Sequence, residues 1–266
     1  MDILEDRRHE GWVLAAYPDP KTSHPLIGAG FSLDLPARDH PQRDPLNPNL
    51  FAEPSSAELW QAAGLDPARL AEILDGFNRQ LSASTARDFR RSIPSLAAQI
   101  SDEDATKLVR IAVIQSIVNA KAYCRNFDRL TASQQMALTQ LVYQMGVNLE
   151  EFTEFLSLIN QDTLADSTTA ATRDAPFWKS VQLSLEQSQW ARLYRARAIA
   201  VVAMLDPKYP LDPSLAERRV GAVLRPAVVH RRRGRASAST QLVSHRSGHS
   251  RSGRVKRAHS RAKKKA

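Results

Sequence analysis

Two carboxylates near the start of the chain, Glu10 and Asp19, are separated by eight residues across a change from polar helix-like sequence to extended sequence. Such a pair can do acid and base work if the two environments differ. A carboxyl kept protonated delivers a proton, and one kept ionised orients a water or stabilises positive charge. Glu10 lies beside apolar Trp12 and Leu14, whose contact would raise its pKa by desolvation. Asp19 sits between Pro18 and Pro20 in a polar turn, where it stays ionised. Ile27-Gly28-Ala29-Gly30 follows, glycine-relieved sequence of the kind that admits another backbone or a ligand. An isolated pair at this spacing is far more often a surface glutamate and a turn aspartate, so the elements around it must decide.

Those elements read as follows. Residues 2–14 pattern as a first helix stopped by Pro18 and Pro20, and residues 24–34 as one strand. Five prolines between 35 and 56 mark a long loop. Ser55/Ser56 opens a short helix through Trp60, and Asp66-Pro67 opens another that ends at Gly76. Residues 83–92 pattern as a third. Ser101-Asp102-Glu103-Asp104 caps a long helix to about residue 122, and Thr131 to Met145 forms a second, closed by Gly146. Shorter helical patterns cover 149–159 and, in two pieces, 176–205. Residues 162–174 read as a polar connection, and Pro207 with Pro210 ends the ordered part. The fold class is therefore α+β, mainly α.

Composition limits the alternatives. No apolar run approaches the length of a membrane span, and the opening MDILEDRRHEG lacks the apolar core of a secretory signal. The expectation is synthesis in the cytoplasm without a signal peptide. The single Cys124 excludes an intrachain disulfide and is expected to be buried and inert. The net charge of +9 divides unevenly: residues 218–266 hold 12 Arg and 4 Lys with no acid, leaving 21 basic and 28 acidic groups, or −7, in residues 1–217. The high isoelectric point thus describes a tail. Rich in Arg, Ser and Ala, residues 225–266 cannot offset ordering entropy by burial, and are expected to be disordered when free.

Taken in order, Glu10-Gly11, Tyr17-x-Asp19 and Ile27-Gly28-x-Gly30 resemble the opening of phage-type lysozymes (endolysins) of glycoside hydrolase family 24. Ser101 to Lys121 looks like that family's long helix between lobes, and Leu130-Thr131 to Gly146 like its buried central helix. Trp190 with Arg197-Ala198 and Val201 looks like its closing helices. The likeness covers residues 1–33 and 99–210. It implies a lysozyme-like two-lobe fold, with a small β-containing lobe, a long inter-lobe helix and a helical lobe. It implies a catalytic domain over 1–210, enlarged by an insertion over about 35–98, and a basic tail over 211–266. The implied activity is inverting hydrolysis of the β-1,4 bond between N-acetylmuramic acid and N-acetylglucosamine in peptidoglycan, by a monomer without cofactor or metal. Glu10 and Asp19 would be catalytic, Arg197 would position the glutamate carboxylate, and Ser32, Tyr143 and Gln144 would contact sugar. Such an enzyme would lyse bacterial cells, acting on the cell wall in the periplasm after release.

Several residues carry two readings. Arg197 either holds the catalytic carboxylate or belongs, with Arg192 and Arg195, to a solvated face. Ser32, Tyr143 and Gln144 either bind sugar or pack the cleft wall. Trp60 either stacks on sugar or is core. The family commonly has a threonine just before the Ile-Gly pair, where Leu26 stands here, and an extra residue lies in the preceding turn. Thr22 and Ser23 are the hydroxyls a shifted turn could supply. A changed water-holding residue can favour glycosyl transfer, so a transglycosylase or a non-cleaving glycan- or nucleic-acid-binding protein is the alternative. The charge of residues 218–266 suits an anionic cell-envelope surface and nucleic acid equally. The seven histidines show no metal-ligand spacing.

Overall fold

A computed structural model describes residues 11–19, 22–41, 44–83, 98–161 and 175–225, all within one compact unit, Met1–Pro226. The expected helix over 83–92, the polar connection over 162–174 and the tail beyond 225 fall almost wholly outside these residues, as does Glu10.

The described chain is mainly helical with a small sheet. Strands β1 (Val13–Pro18), β2 (Pro25–Gly28) and β3 (Phe31–Ser32) form an antiparallel sheet in that order. Two expectations are corrected here. The first helix does not run to residue 14: Gly11 has a φ of +74, a conformation that ends a helix, and Val13 onward pairs with β2 instead. The single strand over 24–34 is a hairpin, because Gly28 and Gly30 both take positive φ and reverse the chain around Ala29. On its other edge β1 meets the chain returning to the long helix, with the Ile100 amide donating to the Leu14 carbonyl at 2.8 Å.

Among the described residues of 35–55 the chain is irregular except for the two-residue strands β4 (Arg38–Asp39) and β5 (Ala52–Glu53). Side chains fasten it. The Asn119 amide donates to the Ala52 carbonyl at 2.9 Å and accepts from the Ala52 amide at 3.0 Å, standing in for a neighbouring strand. The Asn47 amide donates to the carbonyls of Lys121 and Ala122, near the end of the long helix, where they lack helical partners.

Helix α1 (Ser56–Ala62) begins on a capping box between Ser55 and Glu58. Helix α2 runs from Pro67 to Ala83, beyond the expected stop at Gly76, because one half-buried glycine weakens a helix without ending it. Both helices contribute core to the sheet. Trp60, Leu70, Ile73 and Phe77 are buried with Ala15, Ile27, Phe31 and Leu33, and with Ala105 and Leu108 of α3 (Asp102–Tyr123). Ser101 caps α3 as expected, accepting from the Asp104 amide.

The other end of α3 enters a larger helical core. Ala120 and Tyr123 pack there with α4 (Ala132–Met145), α5 (Thr153–Ile159), α6 (Ala175–Glu186), α7 (Gln189–Leu193) and α8 (Arg195–Ala203). The chain over 176–205 is thus three helices where two were expected, and a 3-10 segment, Gly146–Glu151, precedes α5. Order does not end at Pro210. Helix α9 (Pro213–Val223), capped by Asp212, packs on α8 through Ala216 and Val220. One long helix therefore serves two hydrophobic clusters, and Phe51 of the irregular segment is buried in the second. Among the described residues, no helix is long and apolar enough to cross a membrane.

Candidate active site

Asp19 begins the loop that joins β1 to β2. Its amide donates to the His24 carbonyl at 2.8 Å, and the Ser23 amide donates to the Asp19 carbonyl at 3.0 Å, closing the turn. The carboxylate is part of that turn. Its Oδ1 accepts from the Thr22 amide at 2.7 Å and from the Thr22 hydroxyl at 3.0 Å. Aspartate favours such turns because its short side chain can imitate a backbone carbonyl. Ser23 in this turn takes a φ of +63, in the left-handed region that non-glycine residues rarely adopt. A second carboxylate steadies the loop from outside: Asp34 Oδ2 lies 2.8 Å from His24 Nδ1. The pair has no local signature in the sequence, because its ten-residue spacing is closed only by a hairpin.

The Thr22 hydroxyl has one proton, and it is given to Asp19. Its lone pairs are then what it offers, one of them to the His24 amide at 3.4 Å. A water bonded to both Asp19 and Thr22 would donate its two protons to them and keep its oxygen lone pairs free. Leu26, at the position where a hydroxyl was expected, is half-buried in β2 between Tyr17 and Ser32. Of the two hydroxyls left open by the sequence, Thr22 is the one bonded to the carboxylate.

The turn at the opposite end of β2 docks on the helices. The Tyr143 phenol donates to the Ala29 carbonyl at 3.1 Å. Ala29 packs with Val109 and Val113 of α3, with Trp12 and Tyr143 against them. The Trp12 indole donates to Asp102 Oδ1, in the first turn of α3, at 2.6 Å. The opening stretch is thus held to α3 and α4 at several points, and a side chain at Gly28 would meet Ala105 at 3.7 Å.

Gln144 follows Tyr143 on α4, and its Oε1 accepts from the Trp190 indole at 3.0 Å. Trp190 also lines a groove of about 710 Å³ between Met145–Phe155 and Ser184–Tyr194. The walls mix aromatic faces, Phe152, Trp190 and Tyr194, with the polar side chains of Asn148 and Gln189. Tyr143 and Gln144 are therefore tied into the scaffold, yet both remain half-buried and keep some surface. Ser32, also half-buried, lies on β3 opposite Leu26.

Arg197 separates from its neighbours. It is 7% exposed in the first turn of α8, whereas Arg192 and Arg195 are exposed. A solvated face does not describe Arg197. A guanidinium is held at that depth only by anions or hydrogen bonds that compensate its lost hydration. Trp60 resolves the other way: it is 1% exposed, with its indole donating to the Asp66 carbonyl, and is core. Cys124 is fully buried just past the end of α3. Among the described residues, no group of three or more His, Cys, Asp or Glu side chains could hold a metal ion. No protein-family model matches the chain, and no curated protein matches it.

Proposed function

We propose that the chain is a lysozyme-like muramidase of the phage endolysin type, with its two lobes built on the two hydrophobic clusters and joined by α3. It would hydrolyse the β-1,4 bond between N-acetylmuramic acid and N-acetylglucosamine. The observation that carries the reading is the Asp19 turn, a carboxylate paired with a hydroxyl that has donated its proton. Such a pair is organised to hold a water by both hydrogens.

In this mechanism Glu10 gives its proton to the departing glycosidic oxygen as the C1–O bond breaks. The water oxygen bonds to C1 from the opposite face, and its proton passes to Asp19. Positive charge on the ring is stabilised by the carboxylate while it lasts. Arg197 would hold the Glu10 carboxyl in place through its planar fork. Sugar rings would lie against Tyr143, Gln144 and Ser32 and continue into the groove beside Trp190. Residues 218–266 would bring the enzyme to an anionic envelope surface.

One observation favours a variant. Leu26 places an aliphatic side chain where the family carries a hydroxyl, which supports glycosyl transfer if Thr22 does not hold the water. Turbidity loss of permeabilised Gram-negative cells tests the main reading. Wild type should clear them and Glu10→Gln should not; equal clearing by both would defeat the assignment.

A further inference from the structure

Gln140 lies on α4 at 1% exposure, and neither its amide nitrogen nor its amide oxygen has a hydrogen-bond partner. A buried, wholly unpaired amide costs stability, and native proteins rarely keep one without a use or an internal water. Leucine or methionine would fill the same space more cheaply.

Helical phase shows what Gln140 faces. At about 100° per residue, its side chain projects between those of Tyr143 and Gln144, one turn along the same face of α4. Tyr143 reaches the Ala29 carbonyl, and Gln144 reaches Trp190. The first contact lies at the Gly28–Gly30 turn and the second on α7. Helix α8 packs on α4 and carries the buried Arg197 in its first turn.

We propose that Gln140 is a positioning residue of this site, its amide holding a buried water that also bonds the guanidinium of Arg197. The amide supplies both a donor and an acceptor, and Arg197 supplies further donors, which meets the two to four partners an internal water needs. The water fixes the plane of the guanidinium, and the guanidinium fixes the acid it holds. This last step rests on the muramidase reading.

The test uses the full chain, with Gln140→Met as a near-isosteric variant. Thermal stability should change little, because the hydrogen bonds lost with the amide are offset by removal of a buried polar group. On purified peptidoglycan kcat should fall about tenfold with KM unchanged, the loss of one hydrogen bond's worth of positioning. The basic limb of the pH–rate profile, which reports the acid, should move up as the guanidinium loosens its hold on the ionised form. Raised stability with unchanged kcat and pH profile would overturn the proposal. A high-resolution crystal structure of the wild type decides independently of activity. An ordered water within about 3 Å of both the Gln140 amide and the Arg197 guanidinium supports it, and a dry amide overturns it. If the wild type proves not to cleave glycan, the muramidase reading falls while the water still decides for Gln140.

Discussion

The phenol of Tyr143 donates to the carbonyl of Ala29 at 3.1 Å, joining the central helix to the glycine turn across 114 residues of chain. That contact fixes the turn at one end of β2, whose other end joins the loop that carries Asp19. Tyr143→Phe keeps the ring against Val109 and Val113 and removes the bond. The expected loss is about 1 kcal/mol, the net value of one such hydrogen bond. Chemical denaturation would measure it. Tyr143→Ala should cost clearly more, since it also empties the apolar contact.

Thr22 is the second residue on which the account depends. Thr22→Val keeps the branched shape and removes the hydroxyl, so turnover should fall by about 10- to 100-fold, the range for a bond to a charged group. Thr22→Ser should retain most activity. Equal turnover in Thr22→Val and wild type would remove the hydroxyl from the mechanism.

Trp60 is assigned to the core, with no part in sugar binding. Trp60→Ala should destabilise the protein by about 3–5 kcal/mol, the usual range for emptying a buried aromatic site. In a variant retaining only that tryptophan, titration with peptidoglycan fragments should leave the emission unchanged.

Stability should also respond to pH through Glu186. Partial burial pushes its carboxyl above the usual 4.5, against a smaller opposing pull from Lys179. With the folded pKa raised, the folded state binds the proton more tightly. The stabilisation is complete below pH 4.5 and is lost as pH rises through the folded value. Glu186→Gln should therefore be more stable than wild type at neutral pH, with the difference shrinking as the pH falls through that window. Melting temperatures of both proteins from pH 4 to 8 would check the sign.

Much of the helical scaffold was legible because its signals are local. Ser55, Ser101 and Thr131 each cap the helix their sequence announces, and Gly146 ends α4. What escaped notice depends on long-range partners. Val13–Pro18 follows a helix-like opening and becomes a strand because β2 and Ile100 pair with its two edges. Gly76 looked like a stop, yet α2 continues because its apolar face goes on packing to Phe77 and Leu81. The site divides in the same way. An aspartate followed three residues later by a threonine is a readable turn. The depth of Arg197, next to two exposed arginines, is set by the packing of α8 and has no trace in local spacing. Gln140 looked like any helical glutamine.

The central claim is that Glu10 and Asp19 together cleave the glycan by adding water. Mass analysis of the fragments released from purified peptidoglycan tests it most directly, comparing wild type, Glu10→Gln and Asp19→Asn. Fragments ending in reducing N-acetylmuramic acid are expected from wild type and almost none from either variant. Anhydro-ended fragments from wild type, or equal release by all three proteins, would contradict it.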